Sequence, residues 1–153
     1  MKRKSIAVVL VAAVALVVAG LAAAERIKGT AGPDQLSGTA AADVIWALAG
    51  NDTVNGGDGN DRLHGGHGND TVSGGAGNDR IWVGRGADTQ SGGDGNDVLH
   101  MLARDGQADT ADCGAGDDVI WVSATETSDT HVNCETVKTV TVTGGPAKAR
   151  RGR

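Results

Sequence analysis

The chain contains no phenylalanine and no tyrosine, and three tryptophans with four histidines supply all of its rings. A conventional core built on large side chains is therefore excluded over most of the length. Two prolines and no three-residue glycine period exclude a collagen-like rod. Positive charge is equally scarce: between Gly29 and Trp121 there are four arginines and no lysine against 15 aspartates. So acidic a segment repels nucleic acid and folds poorly without counter-ions. Catalytic signatures are also missing, with no H-E-x-x-H, G-x-S-x-G, P-loop or dinucleotide fingerprint after a strand. What the chain has in excess is glycine, 25 of 153 residues, more than twice the usual share of about 7%.

The N-terminus carries an address. Lys2, Arg3 and Lys4 precede an apolar run from Ile6 to Ala24 that ends in Gly20 and Ala22-Ala23-Ala24. This is the layout of a secretory signal peptide over 1–24. The alternative is an uncleaved N-terminal anchor, since the run is long enough to span a bilayer. The small-residue end favours cleavage after Ala24, which leaves a mature form without a membrane span. The expected location is extracellular. Cleavage also takes away three bases, leaving 19 acidic against 11 basic residues, a net of −8.

After a short segment, 25–28, aspartate recurs every nine residues at Asp34, Asp43, Asp52, Asp61, Asp70, Asp79, Asp88 and Asp97. The clearest units are GGDGNDRLH from Gly56, GGHGNDTVS from Gly65, GGAGNDRIW from Gly74 and GGDGNDVLH from Gly92. An insertion read as Met101-Leu102-Ala103 shifts the phase, which resumes in a weak unit with Asp109 and a better one, Cys113 to Trp121 with Asp118. That makes ten units over 29–121. Positions one to six are turn formers. Positions seven to nine predict a short strand whose position eight points inward: Leu36, Ile45, Val54, Leu63, Val72, Ile81, Leu99 and Ile120. Turn and strand in alternation predict two stacked sheets around a thin aliphatic seam. Turns stacked about 4.8 Å apart would align a column of carboxylates and bare carbonyls, which repels itself unless a cation intervenes. An all-oxygen ligand set suits Ca2+ better than Mg2+, and binding of several ions should be coupled to folding.

These units resemble the RTX, or hemolysin-type, calcium-binding nonapeptide G-G-x-G-x-D-x-U-x. One copy would say little; eight in phase are specific. The resemblance implies an all-β, right-handed parallel β-roll (β-solenoid) of about ten units. It further implies Ca2+ held between turns two units apart, by position-six aspartates and turn carbonyls. Carried over, the sites pair Asp61 with Asp79 and Asp79 with Asp97 on one edge, and Asp52 with Asp70 and Asp70 with Asp88 on the other. The turn glycines are Gly57, Gly59, Gly66, Gly68, Gly75, Gly77, Gly93 and Gly95, with Asp34, Asp43 and Asp118 in the end units. The family turn is broken at Gly38-Thr39-Ala40-Ala41-Ala42 and altered at Val83-Gly84-Arg85-Gly86-Ala87. Those departures weaken the sites expected at Asp43, Asp88 and Asp109. The N-terminal signal departs from the C-terminal export signal of many members, so toxin and exporter associations are not carried over.

Alternate units fall on opposite sheets, which sorts their outward residues. One face is polar throughout, with threonines at position seven (Thr53, Thr71, Thr89, Thr110). The other aligns Trp46, His64, Trp82, His100 and Trp121, with Arg62 and Arg80 beside them. Three readings are open. The C-terminal segment covers this row; or it is a partner surface for a cell-surface, glycan or protein ligand; or it is exposed, with arginines lying over the rings. Zinc held by His64 and His100 is disfavoured by a spacing of about 9–10 Å.

Cys113 and Cys134 are the only cysteines, and an exported chain favours their pairing. Closing some 22 residues is worth roughly 3 kcal/mol. The bridge would tie a C-terminal cap, 122–143, in which Val137 to Val142 alternates as a strand, to the last unit. Residues 144–153, with Lys148, Arg150, Arg151 and Arg153, read as a flexible basic tail. The expected function is a secreted, non-enzymatic protein that binds Ca2+ in its turns and folds on doing so. The alternative is a calcium-dependent adhesion or carbohydrate/matrix-binding module using the Trp46/Trp82/Trp121 face.

Overall fold

The computed structural model describes residues 23–141. The signal segment, 1–24, lies almost entirely outside these residues and the basic tail, 144–153, entirely outside them. The described chain forms strands β1 (Arg26–Lys28), β2 (Gln35–Ser37), β3 (Val44–Ala49), β4 (Thr53–Asp58), β5 (Arg62–His67), β6 (Thr71–Ala76) and β7 (Arg80–Trp82). It continues with β8 (Thr89–Asp94), β9 (Val98–Met101), β10 (Thr110–Ala115), β11 (Val119–Ser123), β12 (Thr130–Val132) and β13 (Thr136–Val140). Odd-numbered strands make a seven-stranded sheet in the order β1-β3-β5-β7-β9-β11-β13, and even-numbered strands a six-stranded sheet, β2 to β12. All the pairings are parallel. Two strands make one coil, and the whole is a parallel β-roll of about six coils.

The count of ten nonapeptides understates this roll, because segments outside the repeat also supply rungs. Segment 25–28 contributes β1, whose Ile27 aligns with Ile45. At the other end β12 extends the sheet beyond β10 and β13 extends the other beyond β11. The cap is therefore made of two further rungs in register. Its disulfide is formed: Cys113 and Cys134 have Cα atoms 5.2 Å apart. Cys113 is fully buried in β10 and Cys134 follows β12, so the bridge fastens the final rungs to the coil beneath.

Six strands are longer than the expected three residues and run from position seven to position three of the next unit, as in Thr53–Asp58 and Arg62–His67. Position one therefore also faces inward, where Ala47, Val83, Met101 and Cys113 join the position-eight residues in the core. Met101 thus completes β9, and the insertion lies in the loop after it. The largest buried apolar side chains, Ile45, Leu63, Ile81, Leu99, Met101 and Ile120, all come from the seven-stranded sheet. Opposite them stand the smaller Val54, Val72 and Ala111, so large residues face small ones across a narrow seam. Gln90 breaks the apolar row: it is buried at position eight of β8, and neither amide atom has a partner.

Candidate metal centres

Each edge of the roll carries a ladder of aspartates. The N–H of each donates to Oδ1 of the aspartate one coil on: Asp43 to Asp61 at 2.7 Å, Asp61 to Asp79 at 2.8 Å, Asp79 to Asp97 at 2.8 Å and Asp97 to Asp118 at 2.7 Å. The second edge runs from Asp34 through Asp52, Asp70 and Asp88 to Asp109, with N–H to Oδ1 distances of 2.8 to 3.0 Å. Glu135 and Asp129 accept the last bond of each ladder. The expected pairs, Asp61 with Asp79 and Asp52 with Asp70, are thus neighbours on one edge each.

Seven of these carboxylates use only one oxygen. Oδ2 of Asp52, Asp61, Asp70, Asp79, Asp88, Asp97 and Asp118 is buried and has no hydrogen-bond partner. An orphaned buried carboxylate oxygen is costly, and seven of them stand in two columns. The donor set fits calcium. Carbonyl oxygens stack in the same turns, packed so closely that a Cβ on Gly75 would sit 1.9 Å from the Gly57 oxygen and one on Gly77 2.0 Å from that of Gly59. The pairs Gly66 on Leu48, Gly68 on Gly50, Gly93 on Gly75 and Gly95 on Gly77 repeat the contact. Among the described residues no three His, Cys, Asp or Glu side chains converge. Each coil gives one carboxylate per edge, so carbonyls must complete a hard-oxygen shell.

Burial, and next the charge of neighbours along the ladder, raise these carboxyl pKa values against the pull of the N–H bond. Asp70 and Asp97 reach about 6, and Asp79 and Asp109 about 7. Asp52, Asp61, Asp88 and Asp118 rise for the same first cause, desolvation.

The first two units are built differently. Thr39 gives its N–H at 2.6 Å and its hydroxyl at 3.0 Å to Oδ2 of Asp43, whose Oδ1 accepts from Glu25 N–H. Thr30 treats Asp34 in the same way. At the altered unit the ladder continues through Asp88, while Asp105 from the insertion loop accepts the Gly86 N–H at 2.7 Å. Position five has a role that sequence reasoning missed. Asn51, Asn60, Asn69, Asn78 and Asn96 each accept, through Oδ1, the N–H of the position-five residue one coil on, at 2.7 to 3.0 Å. The signal is their 18-residue recurrence, to which turn propensity assigns no partner.

The aromatic row is a continuous stack. Centroid separations along Trp46, His64, Trp82, His100 and Trp121 are 6.1, 4.6, 5.0 and 6.1 Å, with rings within 10° of parallel. The register adds Lys28 before Trp46 and Lys138 after Trp121. Among the described residues the C-terminal segment extends the sheet rather than covering the row. Lys138 is the cation over a ring, 4.8 Å from the Trp121 centroid, and Arg62 and Arg80 occupy the neighbouring column. Because the inner ring faces are spent on one another, they are not open to a stacking sugar. Trp82 stands between His64 and His100, so these two do not converge on one ion.

The family model described as RTX calcium-binding nonapeptide repeat matches the chain four times, over residues 20–54, 28–63, 55–90 and 64–99. No curated protein and no solved structure matches.

Proposed function

Since the chain belongs to the RTX calcium-binding nonapeptide repeat family, we propose that it is an exported, non-catalytic calcium protein whose roll is completed by ions outside the cell. Calcium binding is the property of the family, whose members are generally extracellular. The observation that carries the reading is the set of seven buried, partnerless Oδ2 atoms. A cation between successive carboxylates offsets their desolvation and mutual repulsion together, and no other group within the turns can do both. Binding of several ions is thereby binding to the folded state alone, which makes it folding free energy.

In this reading Asp52, Asp61, Asp70, Asp79, Asp88, Asp97 and Asp118 serve calcium. Asp34 and Asp43 are turns closed by Thr30 and Thr39 that start the roll without one. Extracellular calcium modules work at about 10⁻⁴–10⁻³ M, so the chain stays unfolded before export and orders after it. The test is circular dichroism of the purified mature chain during calcium titration, with magnesium as the control. A gain of β-structure at about millimolar calcium and not with magnesium supports the reading; a spectrum indifferent to calcium sinks it.

A further inference from the structure

The charges carried by the strands are sorted by face, with Asp105 beside Arg85 an acidic exception in a loop. Arg26, Lys28, Arg62, Arg80, Arg85 and Lys138 all stand exposed on the seven-stranded sheet or, for Arg85, on its bridge to His67. The one other cation among the described residues, Arg104, lines a groove on the same side together with Trp82, Arg85 and His100. No aspartate or glutamate lies within the strands of this sheet, and no lysine or arginine within those of the other, which carry Asp58, Asp94 and Asp112. In a segment with 15 aspartates and four arginines, that partition leaves one basic, aromatic face on an acidic body.

We propose that this face docks a linear acidic polysaccharide, laid along the roll axis. Its shape is a strip: seven rungs about 4.8 Å apart span about 29 Å. Arginines form one column, and the Lys28-to-Lys138 ladder of rings, capped by a lysine at each end, forms the next. Grooves flank the ladder, one of them lined by Trp46, Leu48, His64 and His67. The stack favours this occupant over two others. Neutral sugars and single-stranded bases are both gripped on aromatic faces, and here the inner faces are already stacked. What the strip offers is guanidinium and ammonium groups on a rigid, flat support, which suits regularly spaced carboxylates or sulfates. The inference rests on the calcium reading in one respect. Calcium neutralises the two carboxylate edges beside the strip, so the polyanion is repelled less by the loaded roll.

The test is calorimetric titration of the calcium-loaded mature chain with an oligogalacturonate (carboxylate), a dextran sulfate fragment (sulfate), neutral dextran and a single-stranded oligonucleotide. Binding of either acidic glycan is expected, weakened at least tenfold on raising sodium chloride from about 50 to about 500 mM. The carboxylate and sulfate arms tell which anion is preferred. The triple variant Arg62→Ala, Arg80→Ala, Arg85→Ala should lose about tenfold or more in affinity, whereas Thr53→Ala, Thr71→Ala, Thr89→Ala on the opposite sheet should not. Both variants must still gain β-structure with calcium, which separates loss of docking from loss of folding. Failure of a calcium-folded roll to bind either acidic glycan overturns the proposal. So does binding that the arginine variant leaves intact, or an oligonucleotide that binds as tightly.

Discussion

The main-chain N–H of Asp61 donates to Oδ1 of Asp79 at 2.8 Å, and Oδ2 of the same carboxylate, buried beside it, has no partner. One oxygen holds the coils in register while the other is left unpartnered. Asp43, on the same edge, differs: both of its oxygens are satisfied, by Glu25 and Thr39.

This contrast predicts different behaviour for two identical substitutions. Asp79→Asn should weaken calcium binding about tenfold, because a ligand oxygen of the loaded roll is gone. Asp43→Asn should cost the calcium-loaded roll about 1–3 kcal/mol and leave the number of bound ions unchanged. Calcium titrations and urea melts in saturating calcium measure both.

The raised carboxyl pKa values predict a pH dependence of definite sign. A carboxyl whose folded pKa lies above its unfolded value makes the folded state hold more protons, so stability falls as pH rises through that window. The calcium-free roll should therefore lose stability between about pH 4 and pH 7, as Asp70, Asp79, Asp97 and Asp109 ionise. Burial lowers the pKa of His64 and His100 and acts in the opposite sense, but two imidazoles are outnumbered by the carboxylates. Calcium must displace the protons, so binding at about pH 6 should release them and apparent affinity should rise towards about pH 8. Calorimetry in buffers of different ionisation enthalpy counts the protons; none released at about pH 6 contradicts the assignment.

Backbone geometry gives a pair of opposite outcomes. Gly75 has φ 113° and a Cβ there would strike the Gly57 carbonyl, so Gly75→Ala should cost at least about 2 kcal/mol. Leu48 occupies the corresponding turn position with φ 86° and an exposed side chain. Leu48→Gly should stabilise the roll by about 1 kcal/mol. Denaturant midpoints in excess calcium would read both.

Within the ring ladder, Trp82 has neighbours at 4.6 and 5.0 Å, whereas Trp46 has one ring partner, at 6.1 Å. Trp82→Ala should cost about 1–3 kcal/mol and Trp46→Ala less than half of that. Equal losses would mean that burial, not stacking, sets the value of these rings.

The period of nine and the inward position eight made the roll, its two faces and the aspartate edges legible in the sequence. Less was legible where the effect joins residues a coil apart. Nothing in the unit ALAGND announces that Ala47 faces the core, since position one is glycine in the clearest units and leaves no side chain to read there. Thr39 looked like damage to a turn; only its approach to Asp43 reveals a hydrogen-bonded substitute. Segment 25–28 has no repeat signature, yet Ile27 lies in register with Ile45 and that suffices for a rung. Gln90 stands at an apolar position with both amide atoms unpartnered, and nothing in the structure explains it.

Because strand partners stand 18 residues apart, as Thr53 and Thr71 or Arg62 and Arg80 do, the nonapeptide is the chemical repeat and its double is the heritable one. Losing nine residues would slide threonines into the ring ladder and reverse every face downstream. Losing 18 would only shorten the molecule by one coil. Relatives of this chain should therefore differ in length by whole coils, and the ring ladder should lengthen or shorten with them like a ruler cut at its marks.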